Sequence, residues 1–167
     1  MNQYVILISS DQGIVNAAEA VYAPKARNPA FVYAYQTSKN PAGWAVYNGA
    51  NWANSLGPTL GAGCKVSLSG HGNQGEIGSS GKPGDTGPDL DPQDTSALLK
   101  GAGFTTGSVV LSVCETHALY NTFAENLLNA LDNPPLPAGT LTVFSPTKSL
   151  PYDRNPLSTV DMTSVTN

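Results

Sequence analysis

Lys65-Val-Ser-Leu-Ser-Gly-His71-Gly72 and Ser108-Val-Val-Leu-Ser-Val-Cys114 decide how this chain is read. Each is a short run of Val and Leu interleaved with Ser, the length of a strand rather than a helix. Each ends on small residues and then delivers one reactive side chain. Working outward, Tyr4-Val-Ile-Leu-Ile8 is a continuous apolar run followed by Ser9-Ser10-Asp11, and Leu141-Thr-Val-Phe144 is followed by Ser145-Pro-Thr147. Continuous apolar runs mark strands buried on both faces of a parallel sheet. Ligands of open parallel sheets gather outside the carboxyl ends of the strands. Four strands that close on small polar residues therefore predict one shared cleft.

The segments between these runs set the fold class. Residues 14–22 read as a short helix ended by Pro24, Phe31–Tyr35 as a strand, and Trp44–Tyr47 as a third strand after a turn. Residues 48–59 fit either a helix or an ordered loop. Asp91-Pro-Gln-Asp94 is a helix start, with acids in the first turn and proline near its first position. In Leu119–Leu131, Leu119, Phe123, Leu127 and Leu131 line one helical face. Helices alternating with apolar strands predict an α/β fold in a single domain over 1–167: a three-layer sandwich with a mostly parallel sheet and helices on both faces. Residues 72–89 repeat glycine every third position, the spacing of collagen. With only Pro83 and Pro88 in the stretch, a triple helix is not expected. A flexible surface loop beside His71 is. The chain after Pro151 shows little periodicity and is expected to be a flexible tail or an edge hairpin.

The composition of the 167 residues narrows the partners. Hydrophobic residues make up 40% and charged residues 12%, against about 25% charged in an average globular domain. Eight Lys and Arg are scattered and the net charge is −4, so no basic stripe for nucleic acid is present. No run approaches a membrane span, and the first residues lack the charged and apolar regions of a secretory signal. A cytoplasmic protein, or a delivered effector or toxin module, is expected.

A thiol attacks a carbonyl as the thiolate and needs a base or a positive field to reach that state. The expected site has Cys114 as nucleophile, His71 as general base and acid, and Asp11 to orient the imidazole. A backbone carbonyl would orient it equally well. The amides of Gly72 and Cys114 are candidate oxyanion donors. His117, three residues after Cys114, is the rival partner for the thiol. Cys64 opens the histidine strand, read as Cys64–Ser69, and is assigned to the core, with both thiols free. Cys64, His71, Cys114 and His117 would make a zinc-type ligand set, but the strand carries Cys64 and His71 roughly 20 Å apart. No metal or cofactor is expected.

The pattern of apolar strand, Ser-Gly-His71-Gly72, then apolar strand and Cys114 resembles the caspase-like (clan CD) cysteine peptidases. It is similar in layout to the self-processing cysteine peptidase domains of large bacterial toxins, where an acid after the first strand joins the dyad as Asp11 would. The resemblance implies cysteine endopeptidase activity on a polypeptide substrate, in cis or in trans. It also implies a primary specificity pocket formed around Ser145, Leu150, Tyr152, Asp153 and Arg154. Those toxin domains bind an inositol phosphate through a dense basic patch. The scattered cations here do not rebuild it, so that activator is not expected. The glycine-triplet stretch has no counterpart in the family. The rival reading is a catalytically inactive caspase-like module that keeps the fold for binding.

Overall fold

A computed structural model describes residues 2–22, 32–35, 45–47, 60–73, 75–85, 87–113, 117–151, 155 and 157–167. Among these described residues, eight strands and three helices follow in the order β1 (Gln3–Leu7), α1 (Gln12–Tyr22), β2 (Val32–Tyr35), β3 (Ala45–Tyr47), β4 (Cys64–Asn73), β5 (Glu76–Gly78), α2 (Pro92–Gly101), β6 (Gly107–Val113), α3 (His117–Leu131), β7 (Leu141–Pro146) and β8 (Met162–Thr166). The expected α/β class with a mostly parallel sheet is found. Residues 48–59, which read ambiguously, lie outside the described residues.

The sheet order is β3-β2-β1-β4-β6-β7-β8, with β5 paired to β4 off this path. Strands β3, β2, β1, β4, β6 and β7 run parallel, and β8 returns antiparallel along β7. The chain therefore builds outward from β1 in one direction as far as β3, then restarts on the other side of β1 with β4. The boundary between β1 and β4 is the topological switch point, where the crevice of such a sheet opens.

Alternation along the strands sorts the side chains. Tyr4, Ile6, Ile8, Val66, Leu68, Val109, Leu111, Val113, Leu141 and Val143 join Leu98 and Leu99 of α2 and Phe123, Leu127 and Leu131 of α3 in one buried cluster. The alternate residues Val5, Leu7, Ser67, Ser69 and Val110 are also buried but stand outside it. Asp91 caps α2 by accepting the Asp94 amide at 2.8 Å, with Pro92 in the first turn, as its sequence predicts. Lys100 at the far end of α2 donates to the carbonyls of Ala130 and Asn133, both at 2.6 Å. A cation thus meets the negative end of the α3 dipole and ties the two helices together.

Two expectations change. The stretch rich in glycine triplets is not a loop of free backbone. It folds back as β5, and Ile77 exchanges backbone hydrogen bonds with Leu90 at 2.9 and 2.8 Å. Gly75, Gly81 and Gly84 have φ of 92°, 69° and 86°, incompatible with a collagen-type chain. Two other glycines permit close approach: a β-carbon on Gly78 would lie 2.2 Å from the Pro88 carbonyl oxygen, and one on Gly87 would lie 2.0 Å from that of Ile8. Second, β4 does not end at Ser69. It outruns β1, whose register stops at Leu7↔Ser69, and β5 takes the vacated place beside His71. Of the two readings for the segment after Pro151, the edge one is found: it supplies the edge strand β8, antiparallel to β7. Its last residue, Asn167, accepts the Leu141 amide through Oδ1 at 3.0 Å and donates through Nδ2 to Asp132 at 2.8 Å, holding the corner between α3 and β7.

Candidate functional site

His71 lies at the switch point, in the part of β4 that passes β1. Its register partner is Gly78, and it belongs by alternation to the face of Ser67 and Ser69, opposite Leu68. The side chain is 8% exposed, and its Nε2 has two carboxylates beside it: Asp11 Oδ2 at 3.4 Å and Asp85 Oδ2 at 3.7 Å. Asp11 comes from the turn between β1 and α1, as expected. Asp85 was not anticipated from the sequence.

The two acids are held differently. Asp11 closes the first turn of α1: its Oδ1 accepts the Gly13 amide at 2.8 Å and its carbonyl accepts the Val15 amide at 2.9 Å. Its side chain is 33% exposed. Asp85 is 5% exposed. Its Oδ1 accepts Ser9 Oγ–H at 2.9 Å, the Ser10 amide at 2.9 Å and Ser10 Oγ–H at 3.2 Å, while its Oδ2 accepts the Ser80 amide at 2.6 Å. Burial disfavours the charged carboxylate, but the donors of Ser80, Ser9 and Ser10 outweigh it and hold the Asp85 carboxyl below its ordinary value. Ser9 and Ser10 thus do more than make room at the end of β1. They bind the loop that brings Asp85 back to His71.

Gly72 is buried and pairs with Ile77. Ile77 spends its own N–H and C=O on Leu90, so Gly72↔Ile77 is the non-hydrogen-bonded kind of antiparallel pair. The Gly72 amide therefore faces away from β5, toward the β6 side. There the parallel register runs from Cys64↔Gly107 to Gly70↔Val113. Cys114, the next residue, lies outside the described residues, as do Tyr152, Asp153 and Arg154. His117 opens α3.

One expected pocket residue stands apart from His71. Ser145 is buried with no hydrogen-bond partner for its Oγ among the described residues. Phe144 pairs with Val110, which pairs with Ser67, so Ser145 is level with Leu68 and shares the face of Val143 rather than that of His71. The ladder, regular up to Pro146, keeps it in the body of the sheet and away from the cleft. Leu150 is buried. Cys64 is a free, buried thiol at the amino end of β4, pushed up to about 11 by desolvation, as suits the core role read for it.

Comparison of the chain with protein-family models, curated proteins and solved structures finds no match. Among the described residues no helix is long and apolar enough to cross a membrane.

Proposed function

We propose that the chain is a cysteine endopeptidase of caspase-like design, with Cys114 as nucleophile and His71 as its proton partner. The observation that carries this reading is the imidazole of His71, buried at the switch point with Nε2 beside two carboxylates. The β4–β6 register adds to it. It runs to Gly70↔Val113, and each of these two residues is followed in sequence by one member of the proposed dyad.

With Nε2 turned toward Asp11 and Asp85, whose charge favours the imidazolium, Nδ1 is the nitrogen proposed to take the thiol proton. The thiolate adds to the peptide carbonyl carbon and its charge moves to the carbonyl oxygen, where the Gly72 amide and that of Cys114 are the proposed donors. Imidazolium protonates the leaving amine, and the acyl-enzyme then yields to water with His71 as base. The reading includes helices on both faces. Right-handed crossovers that leave β1 in opposite directions require α1 on one face and α2 and α3 on the other.

Alkylation of the native protein by iodoacetamide tests the assignment. Cys114 is expected to label at neutral pH at least tenfold faster than Cys64, and to lose that advantage in His71→Ala. Cleavage of a peptide library is expected to disappear in Cys114→Ala with the fold intact by circular dichroism. A Cys114 that labels no faster than Cys64 sinks the peptidase and leaves the binding module.

A further inference from the structure

We propose that Asp11, His71 and Asp85 form a binding site for one divalent zinc-class metal ion. The three side chains offer donor atoms that all lie within 4.8 Å of one another. The gaps from His71 Nε2, 3.4 Å to Asp11 and 3.7 Å to Asp85, exceed an N–H···O hydrogen bond of about 2.7–3.2 Å. They instead approach the edges of a coordination tetrahedron. Zinc bonds of about 2.0–2.2 Å set ligand atoms about 3.3–3.6 Å apart.

The shell behind the ligands is built as a metal site requires. Gly13 fixes Asp11 through Oδ1, and Ser9 and Ser10 fix Asp85 through Oδ1, so each carboxylate turns Oδ2 to the histidine. Ligand carboxylates in metal centres are oriented by such outer hydrogen bonds. Two carboxylates balance the charge of a divalent ion, and the imidazole selects zinc over magnesium or calcium. The partly exposed Asp11 gives the ion a way in and leaves a coordination position for water. Zinc would take the Nε2 lone pair with the imidazole proton on Nδ1, so zinc-bound His71 and the proton-accepting His71 of the proposed peptidase are alternative states. This inference does not depend on Cys114.

The test is titration of the full chain with Zn²⁺ against a chromophoric chelator, in the wild type and in Cys114→Ala, which removes any thiolate ligand. One equivalent is expected to bind with similar affinity in both. Asp85→Asn and Asp11→Asn are each expected to weaken binding at least tenfold, and Mg²⁺ is not expected to compete. Asp11→Asn is the decisive variant if Asp85→Asn unfolds, because asparagine still caps α1. Absence of zinc binding, its loss in Cys114→Ala, or less than a tenfold change in Asp11→Asn would each overturn the proposal. Whether Cys114 is an activated thiol is read separately by alkylation, so either idea can fail alone.

Discussion

The two ends of β4 are made by different chemistry. At the amino end Cys64 is sealed in, with Leu60 and Phe104 nearby in the same apolar cluster. Gly107 packs so tightly there that a β-carbon would lie 2.0 Å from the Cys64 carbonyl oxygen. At the other end the strand outlives its neighbour β1, and the space is lined by His71, two acids and the hydroxyls of Ser9 and Ser10. One strand thus joins a reactive side chain silenced by burial to one kept polar by its surroundings. Position along a parallel strand, more than residue type, decides whether a nucleophile or base has work to do.

The most damaging way to probe this contrast is to add a methyl group at each end. Gly107 has φ of 129° as well as the close contact. Gly107→Ala combines backbone strain with overpacking and is expected to cost about 2–6 kcal/mol in urea unfolding. Gly87→Ala meets the Ile8 backbone but lacks the positive φ of Gly107, so a smaller cost of about 1–3 kcal/mol is expected. Its main effect should fall on the site, with weaker zinc binding while the sheet survives. Equal effects from the two changes would erase the distinction.

Next in size is the acid limb of stability. The folded-state carboxyl of Asp85 lies below its ordinary value, so its contribution is present above that ordinary value and is lost as pH falls through the depressed one. Asp85→Asn is expected to cost about 1–3 kcal/mol at neutral pH and to flatten the loss of stability below about pH 4. The same acid slope in wild type and variant would count against a carboxylate held by Ser9, Ser10 and Ser80.

The smallest effect belongs to Cys64. With its thiol pushed up to about 11, it is expected to alkylate about a hundredfold more slowly than a free thiol at pH 8. The sign on stability is opposite to that of Asp85. The unfolded thiol ionises first, so the contribution is whole below its ordinary value and fades as pH rises to about 11. Cys64→Ala should remove that alkaline slope. Rapid labelling of Cys64 in the native state would show the amino end to be open.

Much of this was legible in the residues. The apolar runs at 4–8, 65–69, 108–113 and 141–144 became β1, β4, β6 and β7 because burial on both faces demands continuous hydrophobicity. Asp91-Pro92 announced α2 through its capping chemistry. Asp11 and His71 were found because both follow such runs. Asp85 was missed for a physical reason. It sits in a segment whose glycine triplets match neither a strand nor a helix period, and its approach depends on the β4–β5 hairpin and on Gly87 lying against Ile8. The available signal was Asn73-Gln-Gly75, a turn between Gly72 and the short run Glu76-Ile-Gly78, which returns the chain toward β1. Ser145 was misplaced because a strand end in sequence is not a strand end in space: β7 continues through Pro146, paired with β8.

The staple made by Asn167 also governs reach. Gly139 and Leu141 hold this residue beside the start of β7, and Asn2 lies beside Lys65 at the start of β4. Both ends of the described chain therefore emerge on the side of the sheet remote from His71. Any stretch of polypeptide joined at either end would have to travel the length of β4 from Cys64 to His71, about seven extended residues, before its first bond came level with the imidazole. If the domain is the peptidase proposed above, bonds nearer the junction would be protected by distance alone, and a tether shorter than that would be safe from its own domain.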